Sequence, residues 1–280
     1  MVNIHEPGPL EGRLTTWPVL AASGALEVRL AETDHEVEAA QRLRYRVFYE
    51  EMSAVPSDEM RLAGRDFDRF DEVCDHLLVV DRSAIDDDGQ PVVVGTYRLT
   101  RDVDAARAGG FYTAGEYDIG PMLRGVPEGS RLLELGRSCV VKEYRARPGA
   151  MQLLWRGVMV YNARFAIDVM FGCASFAGTD PQALAVPLAY LYHFHMAPPD
   201  MRVRAEASRY VDMNLMAKEA IDTREAIHKL PPLLKGYVRA GAWVGDGAVI
   251  DWQFGTTDVF ICFPLSKIDD RYRSRFQMKQ

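Results

Sequence analysis

A carboxylate and a guanidinium lie three positions apart in one strongly apolar run of this sequence. Residues 132–141 read Leu-Leu-Glu-Leu-Gly-Arg-Ser-Cys-Val-Val and predict a central β-strand that carries Glu134 and Arg137. The two side chains would lie on opposite faces of a regular strand, and a β-bulge at Gly136 would bring them to one face. There a carboxylate can accept a proton and a guanidinium can bind an anion. The alternative is an ordinary strand whose charges are solvated or paired.

A basic loop follows this strand. Residues 144–150 read Tyr-Arg-Ala-Arg-Pro-Gly-Ala and directly precede a helix predicted over residues 151–168. Main-chain N–H groups at a helix N-terminus bind phosphate, and two arginines add positive charge. The loop therefore predicts a phosphate-binding site formed by Arg145, Arg147, Gly149 and Ala150.

Further charged residues lie in the N-terminal half of the chain. Arg44 falls on a predicted helix, Asp68 and Asp71 fall in a polar loop, and Arg98 falls inside a predicted strand. An arginine buried in a strand needs a carboxylate partner, because an unpaired buried charge is costly. If the strands of Arg98 and Glu134 are neighbours, as their order suggests, both side chains lie near one cleft. Taken alone, the two aspartates are more typical of a solvated loop.

The histidine and cysteine patterns do not predict a metal site. His193 and His195 have no third ligand nearby in the sequence, so we interpret them as surface or core residues. The cysteines form no CxxC pair, and three of them lie in apolar runs that predict strands; they are Cys74, Cys139, Cys173 and Cys262. We therefore expect no zinc site and no disulfide framework, which fits a reducing cytoplasm.

Hydrophobic periodicity predicts the elements that position these residues. Strands are expected at residues 25–31, 76–81, 92–100, 132–141, 170–176 and 259–263, and more weakly at 203–207. Helices are expected from Thr33 or Asp34 to about Glu51, from 151 to 168, and after a cap at Asp180, with a kink at Pro187. Residues 53–75 and 102–130 read as long polar loops.

This order of elements is that of an α/β domain with the GNAT (acyl-CoA N-acyltransferase) fold. We expect a mixed, mostly antiparallel central sheet with helices on both faces and a C-terminal extension. The predicted organisation is an irregular N-terminal arm over residues 1–24, the acyltransferase domain over 25–265 and a tail over 266–280.

The composition limits the partners. The formal net charge of −7 argues against a nucleic-acid binder, because phosphate recognition normally needs a basic excess. The first residues do not read as a secretory leader, and no apolar run approaches the ~20 residues that span a bilayer. We expect a cytoplasmic protein that makes at most a peripheral contact with the inner membrane.

The charged residues together resemble two related families. Arg-x-x-x-Phe at 44–48, Asp-x-x-Asp at 68–71, Arg98 and Glu-x-x-Arg at 134–137 are the set found in acyl-homoserine lactone synthases. Longer stretches resemble the bacterial L-ornithine Nα-acyltransferases more closely; they are residues 111–118, 133–139, 154–157, 171–181, 230–237 and 255–258. The resemblance covers about residues 25–265, and the C-terminal part exceeds what a lactone synthase normally carries.

The second resemblance implies a specific reaction. These enzymes transfer a 3-hydroxyacyl group from acyl carrier protein to free ornithine, the first step of ornithine-lipid synthesis. No cofactor stays bound; the co-substrate is an acyl thioester on phosphopantetheine, carried by acyl carrier protein or by coenzyme A. The coenzyme A enzymes of this fold carry Arg/Gln-x-x-Gly-x-Gly/Ala in the phosphate loop, and Pro148 stands here where the first glycine belongs. We therefore expect acyl carrier protein as the donor and partner.

Roles for the individual residues follow from this chemistry. An α-amine is largely protonated at pH 7, so a base must remove a proton, and Glu134, directly or through one water, is the candidate. Main-chain N–H groups around Val140 would hold the carbonyl oxyanion. Tyr190 or Tyr192 would protonate the leaving thiolate, although core packing fits both better. The predicted acceptor-binding residues are Arg98 and Arg137 for the carboxylate, Asp68 and Asp71 for a second amine, and Arg44. A structural role fits Asp68 and Asp71 equally well.

Two other classes of function stay open from the sequence. A lactone synthase would use S-adenosylmethionine and release methylthioadenosine. A non-catalytic acyl-carrier or lipid-binding module would bind the thioester without releasing thiol. The sequence also leaves open whether the acceptor is ornithine, lysine or glutamine.

Overall fold

The computed structural model describes residues 18–145 and 149–267. Within them, one sheet contains the strands β1 Ala21–Ser23, β2 Leu26–Leu30, β3 Asp75–Ile85, β4 Pro91–Arg101, β5 Tyr117–Asp118, β6 Leu132–Val140, β7 Val169–Ala177, β8 Arg204–Ala205, β9 Tyr210–Val211, β10 Trp243–Asp251 and β11 Thr256–Pro264. The helices are α1 Asp34–Tyr45, α2 Asp58–Ala63, α3 Asp102–Ala105, α4 Gly120–Gly125, α5 Lys142–Arg145, α6 Ala150–Phe165, α7 Ala185–His195, α8 Thr223–Lys229 and α9 Pro232–Arg239.

The sheet is mixed and mostly antiparallel. Its main path runs β1-β2-β3-β4-β6-β7-β11-β10-β8-β5, and β9 pairs with β10 beside this path. The neighbours β6 and β7 are parallel, as are β8 and β10. The parallel pair β6–β7 is joined through α6, as a parallel connection requires a crossover. The predicted mixed, mostly antiparallel sheet is confirmed.

Helices cover both faces of the sheet, as predicted. Ala40 of α1 packs with Leu78 and Val80 of β3, whereas Gly157 of α6 lies against Leu77. Adjacent residues of a strand face opposite sides, so the two helices lie on opposite faces. A Cβ at position 157 would lie 2.7 Å from Val28 Cγ2, so a glycine here lets α6 approach the sheet.

The first helix begins and extends as predicted, but it changes geometry. Thr33 is its N-cap, and the Thr33 hydroxyl accepts a hydrogen bond from the main-chain N–H of Glu36 at 3.3 Å. After Tyr45 the chain continues as a π-helical segment from Arg46 to Glu51. A π-helical segment places side chains differently from an α-helix and is frequent at functional sites.

Several expected elements differ in extent. The loop 53–75 contains α2, with Ser57 as its N-cap and Gly64 in the left-handed conformation that ends it. Pro187 lies in the first turn of α7, which begins at Ala185, so the predicted kink is wrong, because a first-turn residue needs no intrahelical N–H bond. The strand β10 was not predicted, and β1 falls within the segment 1–24 that was expected to be irregular.

Candidate active site

The parallel strands β6 and β7 separate and open a cavity in the sheet. They pair at Leu132–Val169, Leu133–Met170 and Glu134–Phe171, although β6 continues to Val140 and β7 to Ala177. A cavity of about 360 Å³ lies at this opening. Its walls include β6 from Glu134 to Val140, Cys173 to Ser175 of β7, Arg98 and Tyr112, and Pro231 to Leu233 at the start of α9. An extended substrate can therefore lie between two strands whose facing main chains do not pair.

A bulge in β6 shapes one wall of this cavity. Arg98 of β4 pairs with Gly136, and Thr96 pairs with Cys139, so β6 contains one residue more than β4 in this interval. Arg137 has a positive φ of 53°, which locates the bulge one residue beyond the predicted position at Gly136. The side chains of Glu134 and Arg137 line the same cavity. The predicted bulge and its consequence for these two side chains are confirmed.

Glu134 is buried beneath the loop that precedes β5. Its carboxylate accepts hydrogen bonds from the main-chain N–H of Tyr112 at 3.0 Å and of Thr113 at 2.7 Å. Burial raises the pKa of Glu134 above its ordinary value, although these N–H groups oppose the shift. A carboxylate with a raised pKa is a better proton acceptor when it is ionised.

The Arg44 side chain lies below the cavity with no exposed surface. Its Nε and Nη2 donate to Asp66 Oδ2 and Asp71 Oδ1, each at 2.6 Å, and Nη2 also donates to the main-chain oxygen of Asp66. Burial alone would raise the pKa of Asp71, but the charges of Arg44 and Arg98 lower it below its ordinary value. Asp66, which the sequence did not single out, is therefore part of the same network.

Arg98 and Arg137 extend this network toward the cavity. Arg98 Nη1 contacts Asp68 Oδ1 at 2.7 Å and Asp71 Oδ2 at 3.4 Å. Arg137 contacts Asp66 at 3.4 Å and Asp68 at 3.5 Å. The predicted adjacency of the strands that carry Arg98 and Glu134 is confirmed. Both carboxylate contacts of Arg98 use Nη1, so within the described residues Nε and Nη2 are left to bind an anion.

Aromatic rings enclose the two guanidinium groups. Tyr112 and Phe254 each lie with the ring centroid 4.9 Å from the Arg137 guanidinium carbon. Arg98 lies 5.5 Å from the Tyr112 ring and 5.6 Å from the Phe70 ring. The rings hold the two guanidinium groups in place, and the Tyr112 side chain also forms a hydrogen bond with Arg137.

The residues predicted for the donor lie at the other end of the opening. Val140 and Arg145 line the cavity, and Arg145 Nε donates to the Val140 main-chain oxygen at 2.7 Å. Arg145 also pairs with Glu51 at 2.6 Å. Gly149 is the N-cap of α6, so no side chain caps the first N–H groups of this helix, and Ala150 is its buried first residue. Arg147 lies outside the described residues.

A second acidic cluster was not predicted. Carboxylate oxygens of Glu116, Asp251 and Asp258 lie within 4.8 Å of one another. Burial and the charge of Asp258 raise the pKa of Glu116 to about 7. Burial also raises the pKa of Asp258 to about 6. Glu116 and Asp258 fall inside the stretches 111–118 and 255–258 that carry the family resemblance, which is the one signal in the sequence that pointed to them.

The residues of α7 lie elsewhere. Tyr190 and Tyr192 are not among the described residues that line the cavity. His195 Nε2 lies 3.0 Å from the Tyr190 hydroxyl, and His193 Nε2 lies 2.9 Å from the Met216 main-chain oxygen. The two histidines thus bind different partners.

No helix in the described part of the chain has the length and apolar character to cross a membrane.

The fold and the site define an acyltransferase of the GNAT class. The family described as acetyltransferase (GNAT) domain matches residues 43–156. The L-ornithine Nα-acyltransferase of Brucella abortus is 51% identical over 92% of this chain and 91% of its own length. Those of Agrobacterium fabrum and Rhizobium meliloti are 47% and 48% identical over 90% and 91% of this chain, and 85% of each relative is covered. The chain belongs to the L-ornithine Nα-acyltransferase family.

Proposed function

We propose that this chain transfers a 3-hydroxyacyl group from acyl carrier protein to the α-amino group of L-ornithine. The observation that carries the proposal is Glu134, a buried carboxylate at the point where β6 and β7 separate. The name of the Brucella abortus relative supplies the acceptor, and the opening between the strands suits the extended arm of a thioester.

The reaction needs few groups from the protein. Glu134, directly or through one water, takes a proton from the acceptor's ammonium, and the free amine attacks the thioester carbonyl carbon. Main-chain N–H groups of β6 near Val140 stabilise the oxyanion that forms there. The carbon–sulfur bond then breaks, the amide remains, and the thiolate takes up a proton.

The arginines divide into two roles in this proposal. Arg137 and the free edge of Arg98 bind the acceptor's carboxylate. Arg44 holds Asp66 and Asp71 and so positions the other two arginines without touching substrate. The sequence left two roles open for Asp68 and Asp71, binding of a second amine and a structural role, and their pairing with three arginines supports the structural role.

The donor is acyl carrier protein rather than free coenzyme A in this proposal. Arg145, which pairs with Glu51, lies at the opening, and the exposed Arg156 presents positive charge in the second turn of α6. Acyl carrier proteins have an acidic surface, so opposite charges should speed the encounter. Arg156→Glu should then lower kcat/KM with the carrier-protein thioester more than with the matching coenzyme A thioester, and added salt should weaken only the former. Equal kcat/KM for both donors without salt dependence would refute this part.

A peripheral membrane contact beside the cavity completes the proposal. Met52, Val55 and Trp252 are 50%, 61% and 74% exposed. The main-chain N–H of Val55 donates to the main-chain oxygen of Gln253, the residue that follows Trp252, and Met52 lines the cavity. Trp252→Ala should reduce flotation with phospholipid vesicles, with the distant exposed Leu123→Ala as the control. Equal flotation of both variants and the parent would refute the contact.

Expression in a bacterium that lacks aminolipids tests the function as a whole. Mass spectrometry of its lipids should show a new 3-hydroxyacyl ornithine, absent with Glu134→Gln. Released methylthioadenosine would instead indicate a lactone synthase. Carrier-protein binding without any acylated product would indicate a non-catalytic module.

A further inference from the structure

The acidic cluster carries more negative charge than its surroundings balance. Among the described residues, Arg209 is the one cation within salt-bridge distance, 3.5 Å from Glu116, and its side chain is 49% exposed. Asp251 and Asp258 have no salt bridge in the described part of the chain, although half-buried Asp251 accepts hydrogen bonds at Oδ1 from the main-chain N–H groups of Gln253 and Phe254. The Arg44 network, in contrast, places an arginine against every aspartate. A buried excess of carboxylates favours a bound cation.

Unsatisfied buried atoms point independently to a ligand at this place. Asp258 Oδ1 and Thr256 Oγ1 are buried and make no well-aligned hydrogen bond within the described chain, although the Ser175 and Thr256 hydroxyls lie close enough to Asp258 to oppose the rise of its pKa. Both residues are more than nine-tenths buried, and both line the cavity. Buried polar atoms in native proteins nearly always have a partner, so these two atoms offer hydrogen-bonding capacity to a bound ligand.

Two of the three cluster residues line the same cavity as the proposed base. Asp251 and Asp258 line it together with Glu134. Cys173 Sγ lies 3.5 Å from Glu116 Oε2 and 3.9 Å from Thr113 Oγ1, and the main-chain N–H of Thr113 binds Glu134. One residue therefore separates Glu116 from the group that holds Glu134. The cavity thus has a cationic wall at Arg98 and Arg137 and an anionic wall at Asp251 and Asp258, and Glu116 lies behind Cys173 of the same cavity.

We propose that Glu116, Asp251 and Asp258 bind the side-chain ammonium of a diamino acid acceptor. This assignment rests on the proposed function and makes the acceptor's second amine the determinant of specificity. An ammonium has three N–H donors and no acceptor, which matches three carboxylates. With the acceptor's carboxylate at the arginines and its side chain at the cluster, the α-amine lies toward Glu134. The site then rejects neutral amino acids, because their binding leaves buried carboxylates unpaired.

A comparison of L-ornithine with L-norvaline, which has the same carbon chain without the second amine, tests this subsite. We expect kcat/KM for ornithine to exceed that for norvaline by about 10² or more. Asp258→Asn and Glu116→Gln should each reduce this ratio at least about tenfold, mainly through a higher KM for ornithine. Glu206→Gln is the matched control: the Glu206 main chain binds Glu116, but its side chain is exposed, and the ratio should stay unchanged.

Calorimetry of the parent protein with each amino acid gives a second readout that needs neither turnover nor a variant. Ornithine should bind and norvaline should bind at least about tenfold more weakly. Equal affinities for ornithine and norvaline would overturn the subsite. An ornithine-to-norvaline ratio of kcat/KM that the cluster variants do not change would also overturn it, even if ornithine is acylated. Activity lost with EDTA and restored by Mg²⁺ or Ca²⁺ would assign the cluster to a metal ion instead. Ornithine-selective binding without acylation would leave the subsite standing and refute the proposed function alone.

Discussion

Glu134 Oε1 accepts a 2.7 Å hydrogen bond from the main-chain N–H of Thr113, so the proposed base also holds the loop that covers the site. The same carboxylate binds the N–H of Tyr112, whose ring lies against Arg98 and Arg137. A substitution at Glu134 can therefore act through proton transfer or through the loop, and a test must separate the two.

Glu134→Gln should lower kcat for N-acylation by about 10²–10⁴, since a general base typically contributes this much. The parent enzyme should lose activity as pH falls through the pKa of Glu134. The residual activity of the variant should not show this decline at low pH. Circular dichroism and the exposed Glu128→Gln serve as controls for folding. Activity within a factor of a few of the parent would exclude Glu134 as the base. A large loss of kcat in a variant whose activity still declines at low pH would mean that Glu134 acts only by holding the loop.

Asp71→Asn should destabilise the protein by about 3–5 kcal/mol, because it leaves the fully buried Arg44 partly uncompensated. Asp58→Asn removes an exposed partner of Arg61 and should cost less than about 1 kcal/mol. Urea unfolding of both variants measures the difference.

The same network should weaken in acid. The folded-state pKa of Asp71 is lowered, so its contribution to stability is complete above its ordinary pKa of 3.8 and is lost as pH falls below it. Equal unfolding free energies for the Asp71 and Asp58 variants would show that Arg44 does not depend on this pair.

Much of this network could be predicted from the sequence because its members follow local patterns. Glycine inside an apolar run signalled the bulge near Arg137, and an arginine inside a strand required carboxylates. The acidic cluster could not be predicted in this way, because it combines a loop residue, Glu116, with two residues from the last strands. The strand β10 was missed because Gly245 and Gly247 interrupt its alternation, where its pairing with β11 shifts register. Long-range pairing decided both features.

Glu116→Gln should stabilise the ligand-free protein at pH 8 by a few degrees in Tm. The folded-state pKa of Glu116 is about 7 against an ordinary 4.5, so its contribution to stability is complete below pH 4.5 and is lost as pH rises through 7. Glutamine carries no ionisable group, so the Tm difference between variant and parent should grow from pH 5 to pH 8. Scanning calorimetry across this range measures it. A difference that does not vary with pH would contradict the raised pKa.

Ornithine methyl ester should be a poor acceptor, because it lacks the charge that Arg98 and Arg137 bind. We expect its kcat/KM to fall by at least about tenfold relative to ornithine, with donor binding unchanged. Arg137→Lys should weaken ornithine binding, since lysine cannot bind a carboxylate bidentately. The variant should therefore show a smaller difference in kcat/KM between ornithine and its methyl ester. Equal rates for ester and free acid would mean that neither arginine contacts the acceptor's carboxylate.

The most direct test of the central claim uses purified protein, L-ornithine and a 3-hydroxyacyl carrier-protein thioester. Thiol release and the amide product are measured together, and tandem mass spectrometry identifies the acylated nitrogen. We expect one amide per thiol, with the acyl group on the α-nitrogen, because the acidic cluster holds the side-chain amine away from Glu134. Acylation of the side-chain nitrogen, or thiol release without amide, would contradict it.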